Sequence, residues 1–278
     1  MRVITHTEPS SFAELARPLL LRHEAQHCLV LGILDTLVTQ PERYASSQLL
    51  SIEGGDGLEG VAWRTPPHAL GLSLMSSAAV AALVEHLSPS AELPGVTGPR
   101  PMVDQFKEAW LERGLGTLRH GIQQRIYRLE QVVSAERASG VLRTASAADE
   151  ALVVDWTVAF VRECGLGEDD KEVRRGVAAT LGRGRRVLWE HEGAAVSTAG
   201  FGGKTPSGMR VSYVYTPPEL RGRGYASALV AALSEQLLAA GNRCCFLFTD
   251  LANPTSNAIY QHIGYQPVGD AAHFMFSP

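Results

Sequence analysis

Apolar and polar positions follow two periods along this chain, one near 3.6 and one near 2, and the two interchange from end to end. In the first half, 11–17 and 19–39 read as helices, and 48–53 as a strand closed by a Gly-Gly-Asp-Gly turn. Short strands at 60–64 and 69–75 flank Pro66-Pro67, and helices follow at 77–87 and 101–113. Residues 93–101 hold three prolines and two glycines, which predicts a loop. Alternation over 122–132 predicts a long strand. A small polar connector at 134–139 is the expected domain boundary. Beyond it the pattern predicts a strand at 141–144, helices at 148–164 and 171–181, and a hairpin of 186–191 with 194–201 turned at Glu192-Gly193. Then come a strand at 209–216, a long helix at 222–240, a strand at 244–249, a short helix at 254–262 and the last strands in 265–276. Alternating helices and strands predict an α+β (mixed α/β) fold.

Composition narrows the class. At 278 residues the chain is long enough for two domains. With 45% hydrophobic and 19% charged residues it is neither disordered nor a fibre. The net charge of −4 leaves neither half basic, so nucleic acid is not an expected partner. Cys28, Cys164, Cys244 and Cys245 include no C-x-x-C pair, and they read as reduced, buried thiols. In a strand, Cys244 and Cys245 point to opposite faces. The stretch 65–84 carries no Asp, Glu, Lys or Arg and is 20 residues long, enough to span a bilayer. It also holds two prolines, a glycine and three serines, so a strand followed by a Ser-capped helix explains it better. The first ten residues have no apolar segment of the signal-peptide kind. The expectation is a cytoplasmic protein with no membrane partner.

The run 209–238 carries the most chemistry. A strand ends at Pro217-Pro218, and Arg221-Gly222-Arg223-Gly224-Tyr225-Ala226-Ser227 opens into a helix. Ala226, Leu229, Val230, Leu233 and Leu237 form the expected buried stripe. A helix start exposes unpaired N–H groups and about half a positive charge. Glycine lets an anion approach that backbone, and Arg221 and Arg223 add cationic charge beside it. The turn reads as a pyrophosphate cradle, or as a basic turn that simply precedes a core helix. Gly222, Gly224 and Ser227 do not complete G-x-G-x-x-G, and no Walker Gly-Lys-Ser/Thr follows.

Arg221-x-x-Gly224-x-Ala226 resembles the acyl-CoA signature of the GNAT superfamily of N-acetyltransferases, Gln/Arg-x-x-Gly-x-Gly/Ala. Downstream, Asn253-Pro-Thr-Ser-Asn257-Ala-Ile-Tyr260-Gln-His-Ile-Gly264-Tyr265 resembles the second motif of that family, in which an Asn opens a short helix that carries a Tyr. The likeness covers roughly 140–278. It implies a central, mostly antiparallel mixed sheet flanked by helices, and acetyl transfer from acetyl-CoA to a primary amine of a small molecule by direct attack, with no metal. It further implies that pantetheine lies between strands 209–216 and 244–249. The backbone of Val214, Tyr215 and Thr216 would hold it, and the N–H groups from Gly222 to Ser227 would take the pyrophosphate. Asn253 and Asn257 would contact the cofactor or tie down its channel. Tyr260 would serve as the acid, or be a packing tyrosine. Asp250, Glu219, Glu163 and His262 are weak candidates for a base. Trp156 and Phe160, four apart on one helix, line an acceptor pocket or pack in the core.

Residues 1–133 follow a similar element order but lack the motif after their own central strand, where Ser76-Ser77-Ala78-Ala79 stands. A degenerate first copy and an active second one, in a monomer or homodimer, is the expected organisation. Two other readings stay open. One is an acyl-CoA-binding regulatory module without turnover. The other is a zinc protease, because His23-Glu24-Ala25-Gln26-His27 matches H-E-x-x-H on an expected helix.

Overall fold

The computed structural model describes residues 1–88, 92–133, 138–166 and 169–277. The first elements are β1 (Arg2–His6), α1 (Pro9–Leu21), α2 (Cys28–Thr39), β2 (Gln48–Gly54), β3 (Gly57–Arg64), β4 (Leu70–Leu72), α3 (Ser77–Leu87), β5 (Gly95–Pro99), α4 (Arg100–Glu112) and β6 (Thr117–Leu129). Then follow β7 (Val141–Thr144), α5 (Glu150–Glu163), α6 (Asp170–Leu181), β8 (Arg186–His191), β9 (Ala194–Gly202), β10 (Gly208–Tyr215), α7 (Tyr225–Ala239), β11 (Cys244–Asp250), α8 (Pro254–Ile263) and β12 (Gln266–Ser277). The succession β-α-α-β-β-β-α-β-α occurs twice, from β1 to α4 and from β7 to α8.

Two compact units result. One comprises Met1–Ile126, Gly203–Thr205 and Val268–Pro278, the other Tyr127–Gly202 and Pro206–Pro267. Of the connector expected at 134–139, residues 134–137 lie outside the described residues. The units change over between Ile126 and Tyr127, and most of β12 belongs to the first unit.

In the first unit the strand order is β1-β2-β3-β4-β5-β12-β6. β4 and β5 run parallel; β1–β2, β2–β3, β3–β4 and β5–β12 are antiparallel. One apolar core, with Leu83, Phe106 and Trp110, joins α3 and α4 to the sheet and takes in Ala272, Phe274 and Phe276 of β12. A second, with Phe12, Leu20 and Leu34, seats α1 and α2.

In the second unit β11-β10-β9-β8-β7 is the order, with the end of β6 beside β11. The β8–β9 hairpin turns at Glu192 (φ 50°) and Gly193 (φ 77°) as its sequence demands. α7 lies on one core and α5 with α6 on another. Both faces of the sheet are therefore covered, which is why Cys244 and Cys245 are both fully buried. α7 buries Tyr225, Ala228 and Ala231 besides the expected leucines, whereas Ala226 is only half-buried.

Several expectations change. Helices α1 and α2 are separated at 22–27, and Pro18 sits inside α1. The stretch 93–101 contains β5, whose register with β12 runs from Gly95 opposite Met275 to Pro99 opposite Ala271. A side chain at Gly95 would strike the carbonyl of Phe274. These glycines serve close backbone approach in a sheet, a role that cannot be told from a loop by composition. β1, too short and half-exposed to show a period, is a further addition.

Candidate active site

The parallel pair β10–β11 is joined at only three positions, from Gly208 opposite Cys244 to Arg210 opposite Phe246. β10 continues to Tyr215 and β11 to Asp250 with no further rung, so the strands part. On its other side β10 carries a bulge: Ser212 faces Gly200 and the next partner is Tyr215 with Thr198. Tyr213 takes up the extra residue at φ 52°, costly for a tyrosine and typical of a strand re-aimed at a site. Ser197 holds the bulged end, its hydroxyl donating to the Tyr215 carbonyl at 3.0 Å and lying 2.9 Å from Thr216 Oγ1. Val214 is half-buried between these fixed points.

After a turn at Pro218–Leu220 the chain passes Gly222 (φ 75°) and Gly224 (φ 78°) into α7. Gly224 is the N-cap residue and supplies no side-chain cap. Among the described residues, the N–H groups from Gly222 to Ser227 meet no protein acceptor. The space above them is open: a Cβ on Gly222 would find nothing within 4 Å, and one on Gly224 only Ala138, at 3.6 Å. Left-handed backbone, not crowding, is what requires glycine here.

The arginines behave differently from each other. Arg221 does not point its charge at the cradle. Its Nε donates to the Thr216 carbonyl (2.9 Å) and its Nη2 to both Glu163 oxygens (3.0 and 2.7 Å). Tyr215 also donates to Glu163, at 3.2 Å. Arg221 and Glu163 thus tie the loop to the end of α5, an assignment hidden in the sequence because the two lie 58 positions apart. Arg223 is exposed, with a long 3.4 Å bond to the Glu219 carbonyl. The Tyr225 ring is buried against His191, 5.4 Å away, so this residue offers only its backbone to the cradle.

At β11 the exit is braced. Asn253 caps α8 by accepting from the Ser256 N–H at 3.0 Å. Asn257 Nδ2 donates to the carbonyls of Asp250 and Asn253, both at 2.8 Å, and its Oδ1 accepts from the Tyr127 hydroxyl at 3.0 Å. Asn257 is therefore a strut for the end of β11, with every polar atom used. Gly264 ends the helix at φ 113°. Tyr260, one turn along, is 8% exposed, with its ring 6.0 Å from Tyr265 and 6.3 Å from Tyr127. Its hydroxyl has no hydrogen-bond partner among the described residues. Burial, and then nearby Cys164, push its pKa well up, so the phenol stays protonated. Cys164 is itself pushed up to about 11, first by burial and then by Glu163 and Asp250.

Of the four base candidates, Glu163 is committed to Arg221 and Tyr215, and Asp250 accepts from the Ala252 N–H at 2.8 Å. Glu219 and His262 are exposed. Trp156 and Phe160 stand against β10, with ring centroids 6.5 Å from Tyr215 and 5.6 Å from Tyr213.

The corresponding corner of the first unit is filled. β4 ends at Leu72, and a Cβ on Gly98 of β5 would meet the Leu72 carbonyl at 2.5 Å, so these strands stay together. The N–H groups beyond are taken: Ser73 by the Val61 carbonyl, Leu74 by His27 Nε2, Met75 by Met102 Sδ and Ala79 by the capping hydroxyl of Ser76. His27 accordingly accepts at Nε2 and donates at Nδ1 to the Leu20 carbonyl (2.8 Å). Residues 22–27 are turns, not the helix that H-E-x-x-H needs. With both ring nitrogens occupied, His27 has no lone pair for a metal, and the zinc-protease reading loses its ligand set. Among the described residues no group of three His, Cys, Asp or Glu side chains is arranged to hold a metal ion. Nor is any helix long and apolar enough to cross a membrane.

The parted strand pair lies beside an uncapped, glycine-turned helix start. Residues 151–265, which contain it, match the model of the Acetyltransferase (GNAT) family. This part of the chain is a GNAT-family domain. No curated protein sequence matches the chain. Solved structures do. A Drosophila protein is similar at 15% identity over 99% of this chain and 98% of its own, with a TM-score of 0.73. A GCN5-related N-acetyltransferase from Sphaerobacter thermophilus shows 14% identity over 99% and 95%, with a TM-score of 0.62. A tandem GNAT protein from the clavulanic acid biosynthesis pathway shows 14% over 99% and 98%, with a TM-score of 0.55. The whole chain thus has the fold of a tandem GNAT protein.

Proposed function

We propose that the second unit is an acetyl-CoA-dependent N-acetyltransferase acting on a primary amine of a small molecule. The observation that carries this reading is the parting of β10 from β11 beside free N–H groups at Gly222–Ser227. The gap offers backbone edges to an extended arm, and the open loop offers donors to a pyrophosphate. Acetyl-CoA supplies the activated acyl group. The backbone of Val214, Tyr215 and Thr216, set by the bulge and by Ser197, holds the arm and polarises its carbonyl. Arg223 adds an exposed charge at the loop, whereas Arg221 positions it.

Tyr260 carries the proton for the departing sulfur. At pH 7 a free thiolate of ordinary pKa lies only about 2 kcal/mol uphill, so acid assistance is useful rather than indispensable. A phenol kept protonated by burial suits that role. The amine must itself be neutral to attack, and its proton leaves to water, because Glu163 and Asp250 already accept other hydrogen bonds. The first unit, with Gly98 close against the Leu72 carbonyl and the N–H groups of Ser73, Leu74, Met75 and Ala79 already bonded, takes no part in holding the cofactor.

Calorimetric titration of acetyl-CoA into the full chain tests this reading. One site of micromolar affinity, followed by CoA release with at least one amine of a panel, is expected. No heat with any CoA species overturns it, and binding without turnover on any amine supports the regulatory module.

A further inference from the structure

On the face of the second unit's sheet that carries α5 and α6, β9 contributes two glycines, Gly200 and Gly202, and three guanidinium groups surround them. Arg210 of β10 pairs with Gly202 and so points to the same side. Arg185 reaches over the same glycine, its Nη1 3.7 Å from where a Cβ would stand. Arg186 of β8, paired with Gly200, has its Nη1 3.2 Å from the Cβ position there and its Cζ 4.6 Å over the Tyr213 ring. Among the described residues neither Arg185 nor Arg210 has an acidic partner, and Arg210 Nε is buried without any hydrogen bond. The carboxylates of Glu190 and Glu163 are already tied to Arg143 and Arg221. A buried guanidinium N–H left without an acceptor, as at Arg210 Nε, is costly and is relieved by an anion. Arg186 lies over Gly200, whereas over Gly202 only Arg185 comes within 4 Å of a Cβ position.

The position says which anion. Arg210 is the last residue of β10 to pair with β11, and the bulge at Tyr213 lies three residues on, about 10 Å along the strand. We propose that Arg185 and Arg210 bind a carboxylate or phosphate of the acceptor, so that the amine acetylated by this protein belongs to a small anionic molecule. The inference rests on the acetyl-transfer reading, since it names the substrate class of that site. Two guanidinium forks suit planar or tetrahedral oxyanions and would orient the amine toward the bulge.

Two measurements decide it. With CoA saturating the cradle, inorganic phosphate titrated into the full chain is expected to bind in the millimolar range. Arg210→Gln and, at the less buried position, Arg185→Gln are each expected to weaken that binding at least tenfold, while CoA affinity stays within threefold. In turnover, β-alanine is expected to exceed its amide, or O-phosphoethanolamine to exceed ethanolamine, by at least tenfold. The favoured pair distinguishes carboxylate from phosphate. Phosphate binding that is absent, or equal in wild type and both variants, overturns the proposal, as do equal rates within both pairs. Should CoA itself not bind, the acetyl-transfer reading falls, and the arginine dependence of phosphate binding is then read on the free protein.

Discussion

Tyr260 is held by aromatic neighbours on two sides while its hydroxyl is left unbonded among the described residues, as the proposed acid role requires. Tyr260→Phe keeps the packing and removes the proton. Turnover is expected to fall roughly 100-fold, with acetyl-CoA affinity unchanged. An unchanged turnover number would remove Tyr260 from the acid role. His27 shows the opposite use of a titratable side chain. Burial, more than any neighbour, lowers its pKa from 6.5 to about 4, and both its nitrogens are spent on backbone groups. The unfolded chain therefore binds a proton that the folded one refuses between those values. Stability is complete above about pH 6.5 and is lost as pH falls toward 4, by about 2 kcal/mol between pH 7 and 5. His273, lowered by burial, acts in the same direction. Denaturant unfolding at the two pH values should be flatter for His27→Gln than for wild type; equal slopes would clear His27 of the effect.

Among the elements, the start of α7 and the parted strands form one device. Gly224→Glu is expected to abolish measurable acetyl-CoA binding, because it strains a left-handed position by about 1 kcal/mol and sets a carboxylate where the anion belongs. Calorimetry that returned wild-type affinity would contradict the cradle. Much of this device was legible beforehand. Caps at Asn253 and Gly264, the hairpin turn at Glu192-Gly193 and the glycine pair at 222 and 224 are local chemistry, and each stands where its residue type requires. What escaped depends on partners distant in the chain. Arg221 reads as charge beside the cradle, and its ion pair with Glu163 has no trace in the sequence. Residues 93–101 read as loop until Phe274 and Leu72 crowd their glycines. H-E-x-x-H reads as a metal helix until Leu20 and Leu74 claim His27. The bulge at Tyr213 left no trace, since nothing in the residues 209–216 distinguishes a bulged strand from a regular one.

At the scale of the molecule, the same succession of elements yields an open corner in one unit and a closed one in the other. The difference lies in a few backbone groups: in the first unit Ser73, Leu74, Met75 and Ala79 give their N–H groups to the protein itself, whereas 222–227 keep theirs. That unit's core also depends on the last strand, since Ala272, Phe274 and Phe276 are buried in it. Removing 268–278 deletes two buried phenylalanines, each worth roughly 3–5 kcal/mol, along with a strand's hydrogen bonds. The first unit is then expected to unfold. Hydrogen exchange should show protection lost throughout Met1–Ile126; protection retained there would refute the dependence.

A ribosome makes this chain in the opposite order to the one in which its sheets can close. β5 is synthesised well before β12 and must wait without that neighbour until β12 emerges. At about 5–20 residues per second the interval is on the order of ten seconds or more. For that time a nascent polypeptide carries an unpaired strand edge, and chaperones able to shield such an edge would govern how much active protein a cell obtains.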